Sequence, residues 1–289
     1  MRTHSHKGMW SFDARTCTLR SAWQLSWRQC GTAAQYCEAL LQALDEAKDL
    51  FLSLRDNPLA LGSSAGNSWV VRAHAVLLAQ PFSYHHAHEF KTRAEVRTRA
   101  TRLGTTSILT EQEVWHEHEL LAACQSTIVL VHEDGSPRSL AGEQRSALAA
   151  SLAAQPPGAG WNRLVARAEA ATRPDLVERL LGRELPDNLS GAGDDVTTGE
   201  LVPRPSDQDA LNHVNNCRMA LFVSDARAAA LPRSPLSSMP QEQAFVYDFA
   251  RPLVAGARYR VQRATWHGLE ATQVSAENGE VCFRSKSLL

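Results

Sequence analysis

The sequence lacks the features that mark several classes of protein. Its 30 basic and 31 acidic residues leave a net charge of −1, so no basic surplus indicates a nucleic-acid ligand. The longest apolar windows fall short of the roughly 20 residues that span a bilayer. The polar N-terminus, which begins Met1-Arg-Thr-His, lacks the apolar centre of a secretion signal. We therefore expect a protein that binds neither nucleic acid nor a membrane.

The six cysteines show neither a Cys-x-x-Cys pair nor the spacing of metal ligands. Free thiols in a reducing compartment are the simplest account, which favours a cytoplasmic location. We expect no cofactor. What the chain does have is length: 289 residues are enough to bury one large core or two ordinary ones.

Hydrophobic periodicity in the first half predicts one strand, one long helix and four more strands. Residues 1–15 are polar, and we expect them to lie loosely on the surface. Apolar residues at spacings of three and four predict the helix, whereas β-branched and aromatic residues with partial alternation predict the strands. The predicted strands are 17–27, 68–80, 88–102, 105–114 and 120–132, and the predicted helix is 33–54.

Residues 139–199 differ from the first half because they are rich in alanine and predict helices at 140–154 and 161–183. The strand pattern then returns. A helix at 214–230 precedes strands at 244–250, 258–266, 269–275 and 280–288. Placing Ala47 on Ala226, an offset of 179 residues, aligns the two long helices.

The chain therefore reads as a tandem repeat of one α+β unit, in which an antiparallel sheet wraps a helix. We expect an N-terminal unit at 1–138, a helical linker at 139–199 and a C-terminal unit at 200–289.

The stretch from Ser206 to Asn216 concentrates acid–base groups directly before the second long helix. It contains two carboxylates and an imidazole among several carboxamides. Asn and Asp before an apolar run are typical helix caps, since their side chains accept the first backbone N–H groups. The same position also suits a catalytic loop, because a helix start favours partial negative charge on a ligand. The residues of the stretch alone leave both interpretations open.

The order of a strand, this loop, a long helix and an antiparallel meander resembles the hotdog-fold thioesterases. The similar groups are the 4-hydroxybenzoyl-CoA thioesterase type and the acyl-ACP thioesterases. Their loop reads Asp-x-x-Gly-His-Val-Asn-Asn, and the matching segment here is Asp209 to Asn216, with Asn212 where glycine is usual. The resemblance covers about residues 16–138 and 200–289. It implies a double hotdog, with two antiparallel sheets that each wrap a long central helix and form a pseudo-dimer in one chain.

The resemblance also implies an activity, the hydrolysis of an acyl-CoA or acyl-carrier-protein thioester. Asp209 would be the general base or nucleophile, and His213 would polarise the carbonyl or position water. The oxyanion would lie against backbone N–H groups near His213 and Val214. Asn215 and Asn216 are expected to cap the helix or orient the substrate. The substrate-binding and oxyanion candidates are Asn212, Val214, Asn215 and Asn216.

The two halves are not equivalent at this loop. With the offset of 179, Asp209 aligns with Cys30 and His213 with Ala34, so only the second half keeps the acid and the imidazole. We expect one complete site and one degenerate site. The loop also departs from the acyl-ACP thioesterases, which carry a second Asn where this chain has Leu211. They carry a downstream carboxylate as well, for which Asp248 is the nearest candidate.

Several alternatives stay open at this stage. The same thioester site would also suit acyl transfer or a dehydratase-like proton abstraction, and a catalytically silent acyl-binding protein is a third hypothesis. The His-rich segment from Tyr84 to His88 has the composition of a metal site, but the resemblance places a surface turn there, so no metal is expected. Association of two chains into a homodimer is also left open.

Overall fold

The computed structural model describes residues 4–6, 10–24, 33–60, 67–79, 93–154, 159–172, 174–182, 189, 194–209, 213–230 and 244–288. These residues group into two compact units. Unit 1 holds those of 1–26, 42–79 and 89–166, and unit 2 holds those of 27–41 and 167–289. The predicted linker at 139–199 is divided between the two units, with residues up to 166 in unit 1 and those from 167 in unit 2.

The order of elements agrees with the predicted order except that strands at His4–His6, Trp10–Asp13 and Asp194–Leu201 were not predicted and that two helices stand where one was predicted at 161–183. In unit 1 and the adjoining helix the elements are β1 (His4–His6), β2 (Trp10–Asp13), β3 (Thr18–Gln24), α1 (Ala33–Ser53), β4 (Asn67–Leu78), β5 (Arg93–Leu103), β6 (Ser107–His116), β7 (Glu119–His132) and α2 (Gly142–Ala153). The elements that follow are α3 (Ala159–Ala171), α4 (Pro174–Leu181), β8 (Asp194–Leu201), α5 (Met219–Ala230), β9 (Ala244–Phe249), β10 (Tyr259–Trp266), β11 (Leu269–Ala276) and β12 (Val281–Leu288). Helices α1 and α3 each contribute residues to both units.

Both units repeat one antiparallel order within the described residues. In unit 1 the neighbouring strands run β3-β5-β6-β7-β4, and in unit 2 they run β8-β10-β11-β12-β9. The central hairpin of each unit closes with a two-residue turn, at Glu117-His118 and at His267-Gly268. Glu117 and His267 have φ of 54° and 49°, the left-handed conformation that such tight hairpin turns require.

The start of the chain differs from the prediction. Trp10–Asp13 form β2, which pairs with β3, and the side chain of Phe12 is only 3% exposed. Phe12 packs edge-on against Phe51 of α1, with ring centroids 6.3 Å apart. The expectation of a loose surface segment was therefore wrong for these residues, because a single buried aromatic in a short strand gives too little periodicity to recognise.

The predicted linker also contains more than linking helices. Residues 161–183 were expected as one helix but form α3 and α4, since Pro174 begins a new helix and disfavours helical backbone just before it. Strand β8 begins at Asp194, inside the predicted linker, and pairs with β10.

Helices from this segment cover sheet faces in their own units. In unit 1, Leu148 of α2 joins the buried core with Leu19 and Phe51. In unit 2, α4 packs against β12 and β9, burying Val177 and Leu180. Burying an aliphatic side chain of this kind contributes about 1.5–3 kcal/mol, so these helices are part of the two cores. No helix in the described ranges is both long enough and apolar enough to cross a membrane.

Candidate active site at the start of helix α5

Gln208 and Asp209 lie beside His213 and Val214 just before helix α5. Gln208 and Val214 form an isolated antiparallel bridge. Inside this bridge the backbone N–H of Asp209 donates to the carbonyl of His213, at 2.8 Å. The N–H of His213 donates in return to Oδ1 of Asp209, at 3.2 Å. The two residues that the sequence singled out for catalysis are thus hydrogen-bonded to each other.

The exposure of the pair suits a reaction with a ligand from solvent. Asp209 is exposed and His213 is half-buried. Asn212 and Leu211 lie outside the described residues.

Asn215 acts as a helix cap. Its backbone is extended, and its Oδ1 accepts the N–H of Cys217 at 2.8 Å. This is the usual role of an asparagine at the N-cap position, and it agrees with the expectation that Asn215 caps the helix. Asn216–Arg218 then form one 3-10 turn that leads into α5 at Met219.

The backbone donors near His213 and Val214 are not free to bind an oxyanion. The Val214 N–H donates to the carbonyl of Leu253 at 2.8 Å, and the His213 N–H is taken by Asp209. The N–H of Asn215 donates to the carbonyl of Asp207, also at 2.8 Å. In this arrangement the Val214 N–H, one of the expected oxyanion donors, is therefore engaged within the chain. Asn216 comes next, at the first position of the 3-10 turn, where a backbone N–H lacks an acceptor within the helix.

Asp207 and Arg218 hold the two ends of the loop, and neither was assigned a role from the sequence. Oδ2 of Asp207 accepts the backbone N–H of Arg204 at 2.7 Å, which closes the turn before the loop. The Arg218 guanidinium lies 3.8 Å from Oδ1 of Asp207 and donates to Oε1 of Glu38 at 2.6 Å. Glu38 comes from the part of α1 that belongs to unit 2. The sequence shows Asp207 as a second carboxylate of the stretch from Ser206 to Asn216. That Arg218 lies beside it is evident only from the fold.

A second cluster of reactive side chains lies in the core of unit 1. Nδ1 of His74 on β4 is 2.8 Å from the Ser126 hydroxyl on β7, and its Nε2 is 3.7 Å from Oδ1 of Asp45 on α1. Lys48 forms an ion pair with the same carboxylate, and the Cys124 thiol lies 3.4 Å from the Ser126 hydroxyl. The order of carboxylate, imidazole and hydroxyl is that of a hydrolase triad.

Burial gives this cluster a structural role. Ser126 and Cys124 have no exposed surface, and His74 is 2% exposed, so neither substrate nor water reaches the hydroxyl. Burial lowers the pKa of His74 to about 4, although the Asp45 carboxylate acts in the opposite direction. Burial also raises the pKa of Cys124 to about 12, which keeps the thiol protonated and unreactive. The cluster satisfies polar groups between α1 and the sheet of unit 1.

Three further candidates from the sequence are the acidic residue Asp248, the thiol of Cys30 and the His-rich segment from Tyr84 to His88. Asp248 is a half-buried residue of β9, opposite Arg284 in the strand register. Cys30 and the segment from Tyr84 to His88 lie outside the described residues. Among the residues that the structure does describe, no three His, Cys, Asp or Glu side chains gather into a group that would hold a metal ion.

The fold of the chain is similar to that of several solved structures. The 12:0-ACP thioesterase from Umbellularia californica aligns with a TM-score of 0.64 and 18% identity, over 94% of this chain and 96% of that one. An acyl-ACP thioesterase from Bacteroides thetaiotaomicron aligns with a TM-score of 0.65 and 13% identity, over 96% and 99%. An oleoyl thioesterase (putative) from Lactobacillus plantarum gives 0.61 and 14%, over 93% and 94%.

Comparison of the sequence with protein-family models finds no match, and comparison with curated protein sequences finds none either. The structural similarity at these identities concerns the fold. The chain therefore has the hotdog fold seen in acyl-ACP thioesterases, and the similarity extends over nearly its whole length.

Proposed function

We propose that the chain hydrolyses an acyl thioester, carried by coenzyme A or by an acyl carrier protein, at the loop from Gln208 to Val214. The observation that carries the proposal is the reciprocal hydrogen bonding of Asp209 and His213, at 2.8 and 3.2 Å, directly before α5. The hotdog fold supports it, because the structures similar over nearly the whole chain are described as thioesterases. We also propose that the two units form a double hotdog, in which each antiparallel sheet wraps one long helix.

In the proposed reaction the Asp209 carboxylate removes a proton from water while the water oxygen attacks the carbonyl carbon of the thioester. The negative charge moves to the carbonyl oxygen. When the tetrahedral intermediate collapses, the C–S bond breaks and the protonated Asp209 returns its proton to the leaving sulfur. The products are a carboxylic acid and a free thiol, and the carboxylate of Asp209 is regenerated. Direct attack by Asp209 would instead form an anhydride that water then opens.

His213 and the start of the helix would serve the carbonyl oxygen. The imidazole of His213 is placed on the same loop as the base and polarises the carbonyl or orients the water. The N–H of Asn216 replaces that of Val214 as the proposed oxyanion donor, since Val214 is bonded to Leu253. The positive end of the α5 dipole adds to this stabilisation.

The test is release of free thiol from a panel of acyl-CoA and acyl-carrier-protein thioesters. Asp209→Asn is expected to lower kcat/KM by about 100-fold or more, the typical contribution of a general base. Asp194→Asn removes an exposed carboxylate of β8 outside the loop and serves as the matched control. Unchanged hydrolysis by Asp209→Asn would show that the chemistry takes place elsewhere.

A non-catalytic acyl-binding protein is the second candidate, and one specific observation favours it. The backbone N–H groups of His213, Val214 and Asn215 are all committed to internal hydrogen bonds, which reduces the donors left for an oxyanion. Binding of the thioesters without release of thiol or transfer of the acyl group, for the wild type across the whole panel, would establish this candidate. Acyl product on another acceptor, with little free acid, would instead indicate a transferase.

A further inference from the structure

Strand β8 lies at the edge of the unit 2 sheet. It pairs with β10 on one side, and within the described residues no strand pairs with its other side. Six of its eight residues are exposed. An edge strand of this kind presents a row of unpaired backbone N–H and C=O groups, which another extended segment can join as a further strand.

The corresponding edge of unit 1 is covered by the chain itself. The strand orders of the two sheets place β3 of unit 1 where unit 2 has β8. Strand β2 pairs with β3 on the side away from β5, as an added antiparallel strand. Trp10 and Phe12 of β2 pack into the core of unit 1, and the polar Ser11 lies between them. The chain thus fills this place in one unit with a strand that alternates aromatic and polar residues.

In unit 2 the same place is flanked by two clefts, and Thr198 to Glu200 of β8 line both. One cleft, of about 600 Å³, lies on the side of α5 and has Phe222 and Val261 in its wall. The other, of about 540 Å³, is lined mainly by polar side chains and includes Gln262. Because Val261 and Gln262 are successive residues of β10, the clefts lie on opposite faces of the sheet. A strand added to β8 would direct alternate side chains into the two clefts.

The charge of this edge favours a basic segment. Asp194, Asp195 and Glu200 are exposed, and β8 contains neither lysine nor arginine. Arg258 forms an ion pair with Glu200, which leaves the start of the strand as its acidic end. A second copy of β8 would bring more carboxylates to the same edge, and like charges on facing strands are destabilising.

Two exposed valines extend the edge beyond the other end of β8. Val202 follows the strand directly and is 47% exposed, and Val254 is 45% exposed. The segments that carry them are joined by the hydrogen bond from the Gly256 N–H to the Pro203 carbonyl, at 2.9 Å. The edge therefore has an acidic end and an apolar end.

We propose that β8 binds an extended segment of a partner protein, which adds to the unit 2 sheet as a further antiparallel strand. Apolar residues of the segment alternate with polar ones, so that the apolar side chains enter the cleft beside α5. Because the segment runs opposite to β8, its basic residues lie at its C-terminal end, next to Asp194 and Asp195. Backbone hydrogen bonds supply affinity, whereas the alternation and the charge supply specificity. The proposal goes beyond thioester hydrolysis, since no step of that reaction uses β8.

The probe is a fluorescent peptide of the sequence Thr-Val-Thr-Phe-Thr-Trp-Thr-Lys-Lys, and its binding is measured by fluorescence anisotropy. One control peptide has the same composition with its three apolar residues adjacent, and another has glutamates in place of the lysines. We expect the probe to bind at least about tenfold more tightly than either control. Equal affinity for the three peptides would overturn the proposal, and so would a failure of the probe to bind.

Gly199 offers a variant that blocks the cleft beside α5. It lies opposite Val261 in the β8–β10 register, so a side chain there points to the same face. A Cβ added to Gly199 meets no heavy atom within 4 Å, so substitution does not disturb the fold. Gly199→Leu is expected to weaken binding of the probe at least about tenfold with no fall in the thermal midpoint. Gly199→Ala is the matched control and is expected to bind within about threefold of the wild type. Binding that survives Gly199→Leu would contradict the proposed position of the apolar side chains.

Amide hydrogen exchange tests the backbone pairing itself. From Thr197 to Leu201 the register with β10 is regular, so alternate amides face β10 and the other edge. We expect the amides at the other edge to exchange fast in the protein alone and at least about tenfold more slowly with the probe bound. Slow exchange of all these amides without the probe would show that the edge is already covered, by this chain or a second copy. That result would overturn the proposal, as would fast exchange that the bound probe leaves unchanged.

Discussion

His213 donates its backbone N–H to the side chain of Asp209, and Asp209 donates its own N–H to the carbonyl of His213. The distances are 3.2 and 2.8 Å. The carboxylate of Asp209 is thus both the proposed base and a structural acceptor that closes its own loop. Any substitution of Asp209 acts on chemistry and on loop geometry together, and the two effects have to be separated by the choice of replacement.

Asp209→Asn and Asp209→Ala are expected to differ in loop structure and to agree in activity. Asparagine keeps an oxygen that accepts the His213 N–H, whereas alanine removes it. Both lose the charge needed for base catalysis, so both are expected to hydrolyse thioesters about 100-fold or more slowly than the wild type. Hydrogen exchange of the His213 amide is expected to stay slow in Asp209→Asn and to accelerate in Asp209→Ala. Equal exchange in the two variants would show that the Asp209 side chain does not close the loop.

Arg218 is expected to matter for loop position more than for global stability. Its ion pair with Glu38 is partly exposed, 37% for the arginine side chain, so removing it by Arg218→Met costs at most about 1 kcal/mol. The loss of its contact near Asp207 is expected to raise KM for the thioester. Arg218→Lys retains the charge and serves as the control. A double-mutant cycle with Glu38→Gln measures the contribution of the pair to stability. An unchanged KM in Arg218→Met would contradict the assigned role in loop position.

His74 makes a pH-dependent contribution to stability that follows from its burial. Its pKa is lowered to about 4 in the folded chain from an ordinary value of 6.5, so the unfolded chain binds the proton first. The contribution is fully present above about pH 6.5, falls as the pH drops from there to about 4, and changes no further below that. The shift corresponds to about 3 kcal/mol. Urea unfolding across this range is expected to show a shallower pH dependence for His74→Gln than for the wild type.

The control for that measurement is His118→Gln, since His118 is exposed in the β6–β7 turn. It is expected to reproduce the wild-type dependence on pH. Parallel curves for the wild type and His74→Gln would show that the pKa of His74 is the same in the folded and the unfolded chain.

Glu270 is expected to be the most sensitive charged position of unit 2. Burial acts to raise the pKa of its carboxyl, but hydrogen bonds from Arg263 and Arg227 outweigh this and hold the pKa below its ordinary value. Glu270→Gln leaves two arginines without a counter-charge and is expected to lower the free energy of unfolding by about 3–5 kcal/mol. Glu277→Gln, at an exposed turn, is expected to change it by less than about 0.5 kcal/mol. A loss below about 1 kcal/mol for Glu270→Gln would mean that solvent reaches the arginines.

The sequence predicts those parts of the candidate site whose residues are close together along the chain. Asp209 and His213 are four positions apart, and the cap formed by Asn215 involves the residue two positions ahead. Such short-range chemistry leaves a direct trace in the order of residues. The hydrogen bond from the Val214 N–H to the Leu253 carbonyl could not be predicted from the sequence, because the two residues are distant in the chain and only backbone atoms take part.

Two strands show where periodicity was insufficient. Strand β8 is exposed along most of its length and pairs with β10, and its residues Asp194 to Glu200 lack the apolar alternation that marks a strand. Strand β2 is short and relies on one buried side chain, Phe12. Both strands form because they pair with a neighbouring strand, and the intrinsic β-propensity of their residues contributes little.

The sequence by itself determined most of the helices and strands, their repetition and the place of the acid–base loop, since each depends on near neighbours along the chain. It did not determine β1, β2, β8 or the break between α3 and α4. Tertiary structure alone decided which donors remain for a ligand and which charged groups meet. Examples are Glu270 between two arginines and His74 beside Ser126. The physical reason is that burial and pairing set the free energy of a polar group, and both are properties of residues brought together from distant parts of the chain.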